Sequence, residues 1–295
     1  MLVKMINRLS VMLLAMLLVL CSAAMAEAPV SCDFKTMTAD EFLSIWSTPD
    51  TIDHFIDDEY WHLDPAAGLV ITTQNGEVFA TPNLGPNFFW QNGAGNYTID
   101  VKINMAKAFP DNLQTTGIMI ATDLDNYVRL VLTNEFGGHS VQWRQEIAGN
   151  VDWSNVYSED LGNITTIYLR MKKYGNAYTG FYSVDGVEFI KIGSYTTAIA
   201  DPMLTLLAFN STYQGTSEEV DVMFEYVHVE ETTAQMIVVV GDSASIRNQP
   251  SLSASKLGTA HKDDAFVMLE ESGDWYIIDY NGATGYIHKG VCAMQ

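Results

Sequence analysis

Cysteine is nearly missing from this sequence, and with it one way of holding a fold together. Of the three cysteines, Cys21 lies in an N-terminal apolar run, which leaves Cys32 and Cys292 near opposite ends of the remaining chain. Two thiols make no disulfide framework, so stability must come from packing, and a single bridge tying the ends together is the one pairing left open. Basic residues are also scarce: 15 Lys plus Arg stand against 36 Asp plus Glu, a net charge of −21. Such a surface repels nucleic acid and anionic lipid, and suits solubility outside the cell. The six histidines, His54, His62, His139, His228, His261 and His288, show no paired metal spacing, which argues against zinc. No Gly-x-Ser-x-Gly elbow occurs, and neither remaining cysteine carries a reactive-site pattern, so nucleophilic catalysis has no sequence support. Fixed-period repeats and low-complexity linkers are absent as well.

Long apolar runs are missing too, apart from Val11 to Leu20, about ten residues where a membrane span needs roughly 20. Lys4 and Arg8 precede that run, and Ala24 and Ala26 flank Met25 as a small-x-small cleavage site. Residues 1–26 therefore read as a secretory signal peptide, with a mature chain starting near Glu27 and no stable membrane insertion. Lipidation at Cys21 would want a small residue before the cysteine, where Leu20 stands. Cleavage removes two basic residues and no acidic one, leaving 13 basic against 36 acidic residues, a net charge of −23.

What is present is ordinary globular composition, 48% apolar and 17% charged, enough for a sizeable core. Thr38 and Glu41 form a capping box ahead of Phe42, Leu43, Ile45 and Trp46, which predicts one short helix. From about Gly68 to Glu230 the period becomes two. Tyr97, Ile99, Val101, Ile103 and Met105 alternate with Thr98, Asp100, Lys102 and Asn104, as in a strand with one buried face. Further strands are expected at about 68–73, 116–122, 127–133, 140–147, 166–173, 177–183, 187–193, 203–210 and 220–229. Asp185-Gly186 predicts a type I′ hairpin, and Gly175-Asn176 another turn. The fold class is all-β: a jelly-roll sandwich over residues 33–232, then a small barrel over residues 236–295 built from five short strands.

Residues 236–295 resemble the bacterial SH3 domain. The resemblance is carried by Ser245-Ile246-Arg247-Asn248-Gln249-Pro250-Ser251, Lys256-Leu257-Gly258-Thr259, Glu271-Ser272-Gly273-Asp274-Trp275-Tyr276 and Asn281-Gly282-Ala283-Thr284-Gly285-Tyr286-Ile287-His288. Ser245 stands where that family usually has Asn, and Gln249 where it has Gly, so the first loop should be shaped differently. The resemblance implies a non-catalytic barrel that attaches extracellular proteins to the cell wall through peptidoglycan, with Trp275, Tyr276, Tyr280 and Tyr286 as the aromatic faces for a wall peptide. Asp263, Asp264 and Asp274 lie beside them. The alternative is that Trp275 and Tyr286 are simply core residues of a very small domain.

The larger unit is similar to the concanavalin A-like lectin and glucanase superfamily, in particular the C-terminal sandwich of family 43 β-xylosidases. Carrying it are Trp61-His62-Leu63, Gly68-Leu69-Val70-Ile71, Thr116-Gly117-Ile118-Met119, Asp125 to Leu130, Leu169-Arg170, Gly180 to Gly186 and Val222 to Tyr226. The hydrolase's own catalytic domain has no counterpart here, so its activity is not carried over.

Glycosidase chemistry needs two carboxylates about 5 to 5.5 Å apart for retention, or 6.5 to 9.5 Å for inversion. The nearest candidate is Glu219, Asp221 and Glu225 on one strand. Met223 interrupts their spacing, and the bland reading is an acidic outer face with Val220, Val222, Phe224 and Tyr226 turned to the core. Asp57, Asp58 and Glu59, or Asp123 and Asp125, offer oxygen ligands for a structural calcium, but neither set matches the twelve-residue loop. No cofactor or metal site is otherwise expected. Saccharide binding needs aromatic faces and fixed polar groups, and the candidates are Tyr127, Arg129, Trp143, Arg144, Trp153, Tyr168 and Arg170, with Tyr157 beside Trp153. Each aromatic has packing as its alternative. Alternation puts Tyr168 and Arg170 opposite the core residues Ile167, Leu169 and Met171. The sequence thus points to a secreted or surface bacterial protein that binds glycan and peptidoglycan; a divergent glycosidase and a structural or sensory surface protein are the rivals.

Overall fold

The computed structural model describes residues 28–46, 54–55, 57–78, 85–135, 138–211, 217–232, 235–262, 264–280 and 283–294; residues 1–26, expected to be a signal peptide, lie outside them. In chain order the first strands are β1 (Cys32–Asp33), β2 (His54–Phe55), β3 (Trp61–Asp64), β4 (Gly68–Thr72), β5 (Gln74–Gly76), β6 (Gly85–Pro86), β7 (Phe89–Asn92) and β8 (Tyr97–Met105). There follow β9 (Thr115–Asp123), β10 (Asn126–Glu135), β11 (Gly138–Glu146), β12 (Tyr157–Asp160), β13 (Thr166–Tyr174), β14 (Ala177–Ser183), β15 (Ile190–Thr196), β16 (Met203–Ser211) and β17 (Asp221–Glu231). The last are β18 (Met236–Val239), β19 (Ser243–Arg247), β20 (Lys256–His261), β21 (Ala265–Ser272), β22 (Trp275–Tyr280), β23 (Ala283–His288) and β24 (Cys292–Met294).

Two sheets form the sandwich. One runs β15-β14-β13-β8-β17-β4-β3, with β1 also on β17, and the other runs β12-β11-β10-β9-β16-β5, with β7 also on β16. Strands β18 to β24 make a separate seven-stranded sheet. The period-two pattern decides the layering: β8 and β13 bury every second residue, because alternate side chains point to opposite faces. Ile99, Val101, Ile103, Leu169 and Phe224 of the first sheet meet Ile118, Ile120, Leu130, Leu132 and Leu206 of the second in one core. Helix α1 (Ala39–Ile45) starts at the expected capping box, Thr38 and Glu41 bonding each other's backbone amides. It places Phe42 4.8 Å from Phe89 and 5.3 Å from Trp61 between ring centroids.

Two expectations are corrected, and one pairing left open is answered. The Asp185-Gly186 turn is not type I′, because Gly186 has positive φ (76°) and Asp185 does not. The Asp185 carboxylate instead accepts the amides of Val187 and Glu188 and the Ser183 hydroxyl, drawing out a longer loop that delays β15 to Ile190. In β17, a bulge between Phe224 and Tyr226 resets the alternation, as an extra unpaired residue does. Phe224 and Val227 therefore both face the core, while Tyr226 turns outward and stacks on His228 at 4.0 Å. Finally, Cys32 and Cys292 are both free; buried Cys32 accepts the Trp46 indole N–H at 3.4 Å, so no bridge ties the ends.

Candidate functional site

The second sheet has an outer face that is far from ordinary. Register puts Trp90 of β7 opposite Thr205 of β16, Thr205 opposite Met119 of β9, Met119 opposite Arg129 of β10, and Arg129 opposite Arg144 of β11. Five strands thus contribute one row of side chains, and four strand spacings of about 4.8 Å make it roughly 19 Å long. All five residues are buried. Polar residues flank the arginine end: Tyr127 lies opposite Glu146 on the neighbouring rung and Gln142 opposite Val131 on the other.

Hydrogen bonds tie these rungs diagonally. Tyr127 donates its hydroxyl hydrogen to Glu146 at 2.7 Å, and Arg144 donates to the Tyr127 oxygen at 2.9 Å. Arg129 donates to the Gln142 carbonyl oxygen at 3.1 Å, and Gln142 donates to Glu135 at 2.9 Å. Burial sets the electrostatics: it pushes the Tyr127 phenol up to about 12. Burial, with the like charge of Arg144 second, brings Arg129 down to about 10. Desolvation also raises Glu146, outweighing the Tyr127 hydrogen bond and both arginines. Several polar atoms on the face have no hydrogen-bond partner: Trp90 Nε1, Thr205 Oγ1, Arg129 Nε and Glu146 Oε1. Buried groups of this kind are normally satisfied, and an orphan calls for an explanation such as a missing ligand or water. Both ends of the row meet solvent. Trp90 lines an open pocket of about 450 Å³ with Gln91, Ala94, Pro202 and Met203. At the other end Trp153, 57% exposed, holds its ring 5.6 Å from the Arg144 guanidinium.

The seven predicted saccharide-binding residues therefore separate. Tyr127, Arg129, Arg144 and Trp153 come together here. Trp143, next to Arg144, points the opposite way because the strand alternates; it is fully buried and stacks on Tyr195 at 5.5 Å. Tyr168 and Arg170 lie on the outer face of the first sheet, across the sandwich. There Arg170 grips Asp100 through two bonds of 2.6 and 2.7 Å and covers the Phe189 ring at 3.8 Å, while Tyr168 packs beneath Gly186. Sequence reasoning missed Trp90, Gln142, Glu146 and Thr205. Gln142 and Glu146 share the i, i+2 parity of Arg144, a signal that was available; Trp90 and Thr205 needed the register.

The carboxylates of β17 are occupied elsewhere. Glu225 sits in the bulge, bridging Lys35 and Lys102 at 2.7 Å each, and Asp221 accepts the Thr72 hydroxyl. Tyr226 faces outward rather than into the core, for the reason given above. Of the calcium candidates, Asp57 accepts the Glu59 amide, Asp58 the Trp61 indole, and Asp123 the Asp125 amide and the Asn126 side chain. Among the described residues, no group of three or more His, Cys, Asp or Glu is placed to hold a metal.

The barrel aromatics also divide by parity along β22. Tyr276 is buried in the barrel core, against which Tyr280 packs. Trp275, also buried at 7% exposure, lies on the opposite face, 5.2 Å from His288 in an edge-on contact, and lines a pocket of about 310 Å³ with Ser245, Arg247, Leu252 and Val291. Tyr286 pairs with Ile277 and Arg247 in the ladders on that side. Asp263 lies outside the described residues.

Comparison with known proteins agrees with this architecture. Residues 242–291 match the bacterial SH3 domain family. No curated protein matches the chain. The sandwich superimposes on a variant of the GH43 protein BlXynB from Bacillus licheniformis (TM-score 0.51, 16% identity, 68% of this chain and 39% of that one). It likewise superimposes on the Bacteroides ovatus xyloglucan PUL GH43B protein (0.51, 18% identity, 70% and 40%). A Bacillus licheniformis β-glucanase aligns over 70% of this chain and 99% of its own length, at 12% identity and a TM-score of 0.45. This chain spans about 40% of the length of those GH43 proteins. The chain thus joins a concanavalin-like sandwich, of the kind that family 43 glycoside hydrolases carry, to a bacterial SH3 barrel.

Proposed function

We propose that this is an extracellular saccharide-binding protein, held at the bacterial cell wall by its barrel. The observation that carries the reading is the row from Trp90 to Arg144. It presents unpartnered buried donors and acceptors between two indole rings, and a sugar needs the same combination of apolar faces and fixed polar groups. The fold supports it at the level of architecture alone, since similar sandwiches occur in carbohydrate-acting proteins and fold does not fix function. For the barrel, Trp275 and Tyr286 are the wall-binding faces, with Arg247 beside them; Tyr276 and Tyr280 hold the core. The signal-like N-terminus supports export, and among the described residues no helix is long and apolar enough to cross a membrane.

A calorimetric titration of the full chain with a glycan panel and with purified peptidoglycan tests this, with product release followed in the same samples. Binding heat with unchanged glycans is the expected result. Turnover without added enzyme would instead make Glu146 a candidate acid and the protein a divergent glycosidase, and silence towards every ligand would favour a structural or sensory role.

A further inference from the structure

Between the sandwich and the barrel lies a further cavity, and both units build it. Its floor is the outer face of β13, β14 and β15, with Lys172, Thr179, Phe181 and Ser194; the barrel walls it with Thr259, Asp264, Phe266, Asp279 and Tyr280. The volume is about 330 Å³, within the roughly 300 to 1,000 Å³ that small-ligand pockets occupy. Two contacts bracket it. At the turn between β13 and β14, Gly175 comes so close to the barrel that a methyl group there would lie 2.5 Å from the Ala265 side chain. At the start of β15, burial lowers the Lys191 pKa, and the charge of Asp279 across the joint offsets part of that shift. Register sets Lys191 opposite Phe181, so six residues of β14, roughly 20 Å of strand, separate the two contacts. Contact at both ends with open space between makes a cleft of fixed width.

The walls define what it suits. β15 ends the first sheet and β20 ends the barrel sheet, each paired on one side alone among the described residues. Both reach the cleft, one through Ser194 and Thr196, the other through Thr259. A strand at a sheet edge keeps a row of backbone donors and acceptors, which an added extended segment satisfies. Aromatic rings stand on both walls: the Phe181 ring lies 5.5 Å from the Lys172 ammonium on the sandwich, and Phe266 lies 6.3 Å from Tyr280 on the barrel. Charge is divided as well, with Lys172 on one wall and Asp264 and Asp279 on the other. A chain in which acidic residues outnumber basic ones 36 to 15 draws cations from solution, and a cation over an aromatic face is attracted further.

We propose that this cleft binds an extended peptide with basic side chains, its backbone running along the β15 edge and one cation reaching the barrel carboxylates across the Phe266 and Tyr280 rings. A peptide fits better than a sugar, because strand edges read a run of backbone amides that a sugar lacks. The cleft lies on the first sheet, across the sandwich from the row that begins at Trp90, so a peptide here leaves the saccharide face open.

Calorimetry on the full chain with the end-blocked pentapeptide Lys-Val-Lys-Val-Lys, and with the same peptide carrying Ser or Glu in place of Lys, tests it; the alternating valines favour an extended chain. The basic peptide should bind about tenfold more tightly than the serine peptide, with the acidic one weakest. Hydrogen exchange should place new protection at residues 177–181, 191–196 and 257–260. Thr259→Trp fills the cleft from an exposed position and should weaken the basic peptide by about fivefold or more; Phe181→Ser serves should near-ultraviolet circular dichroism show that variant misfolded. Equal affinity for the basic and serine peptides, protection confined to other surfaces, or unchanged binding by the folded variant overturns the proposal. Failure of all three peptides to bind overturns it too.

Discussion

Lys173 illustrates how single residues set the chemistry of the sandwich. It occupies an inward position on β13, 6% exposed, where its ammonium donates to the Gly95 carbonyl at 2.7 Å and faces the Tyr97 and Tyr178 rings. Burial brings its pKa down to about 8. Between that value and the unfolded lysine value of about 10.4, the unfolded chain binds more protons at this residue than the folded one, so the contribution of Lys173 to stability rises with pH across the window. Half-buried Cys292 and buried Tyr127, whose pKa values are raised, pull the other way, so the comparison is with Lys173→Met: from pH 8 to pH 10 the urea midpoint of the wild type should gain more, or lose less, than that of the variant. The same pH dependence in both proteins would contradict the assignment. The residue level also shows what sequence could reach. Tyr127, Arg129, Arg144 and Trp153 are identifiable by type, while Trp143 belongs to the core because strand parity sets it opposite its neighbour Arg144. Trp90 and Thr205 join the site only because strands remote in sequence lie side by side, which no local pattern encodes.

Among the elements, the long alternating strands were legible and the short ones were not. β8, β10 and β13 each run nine or more residues with one apolar face, long enough for a period of two to stand out. Strands β3, β5, β7 and β12 have three or four residues, and β12 is exposed throughout, so its sequence carries no burial pattern. The β17 bulge and the Asp185 loop came from side-chain and register details that alternation ignores. Packing between elements makes a further demand: Gly180 and Gly193 form a flat bed for the Trp143 ring, and a methyl group at Gly193 would lie 2.6 Å from both Trp143 and Tyr157 carbons. Gly193→Ala should therefore destabilise the protein by about 1 to 3 kcal/mol, the usual range for overpacking. Chemical denaturation measures it, and a change under about 0.5 kcal/mol would show that β15 yields without cost.

At the scale of the whole molecule, an acidic chain joins two all-β units with separate cores. The sandwich has two opposite outer faces, and they differ in kind: the row on the second sheet is buried. On the first sheet, charges are matched in pairs, Arg170 with Asp100 and Glu225 with Lys35 and Lys102. The second carries the opposed arginines and the unpartnered groups. The fold class was readable in the period and the turns; which face would carry the site was not, because charge pairing depends on register across strands. Hydrogen exchange of the full chain, with and without a saccharide that it binds, tests that choice of face most directly. New protection should fall on residues 89–92, 126–130, 142–146, 153 and 203–206, with β13 and β14 unchanged. Protection centred on Tyr168 and Arg170, and none around Arg129 and Arg144, would contradict the account.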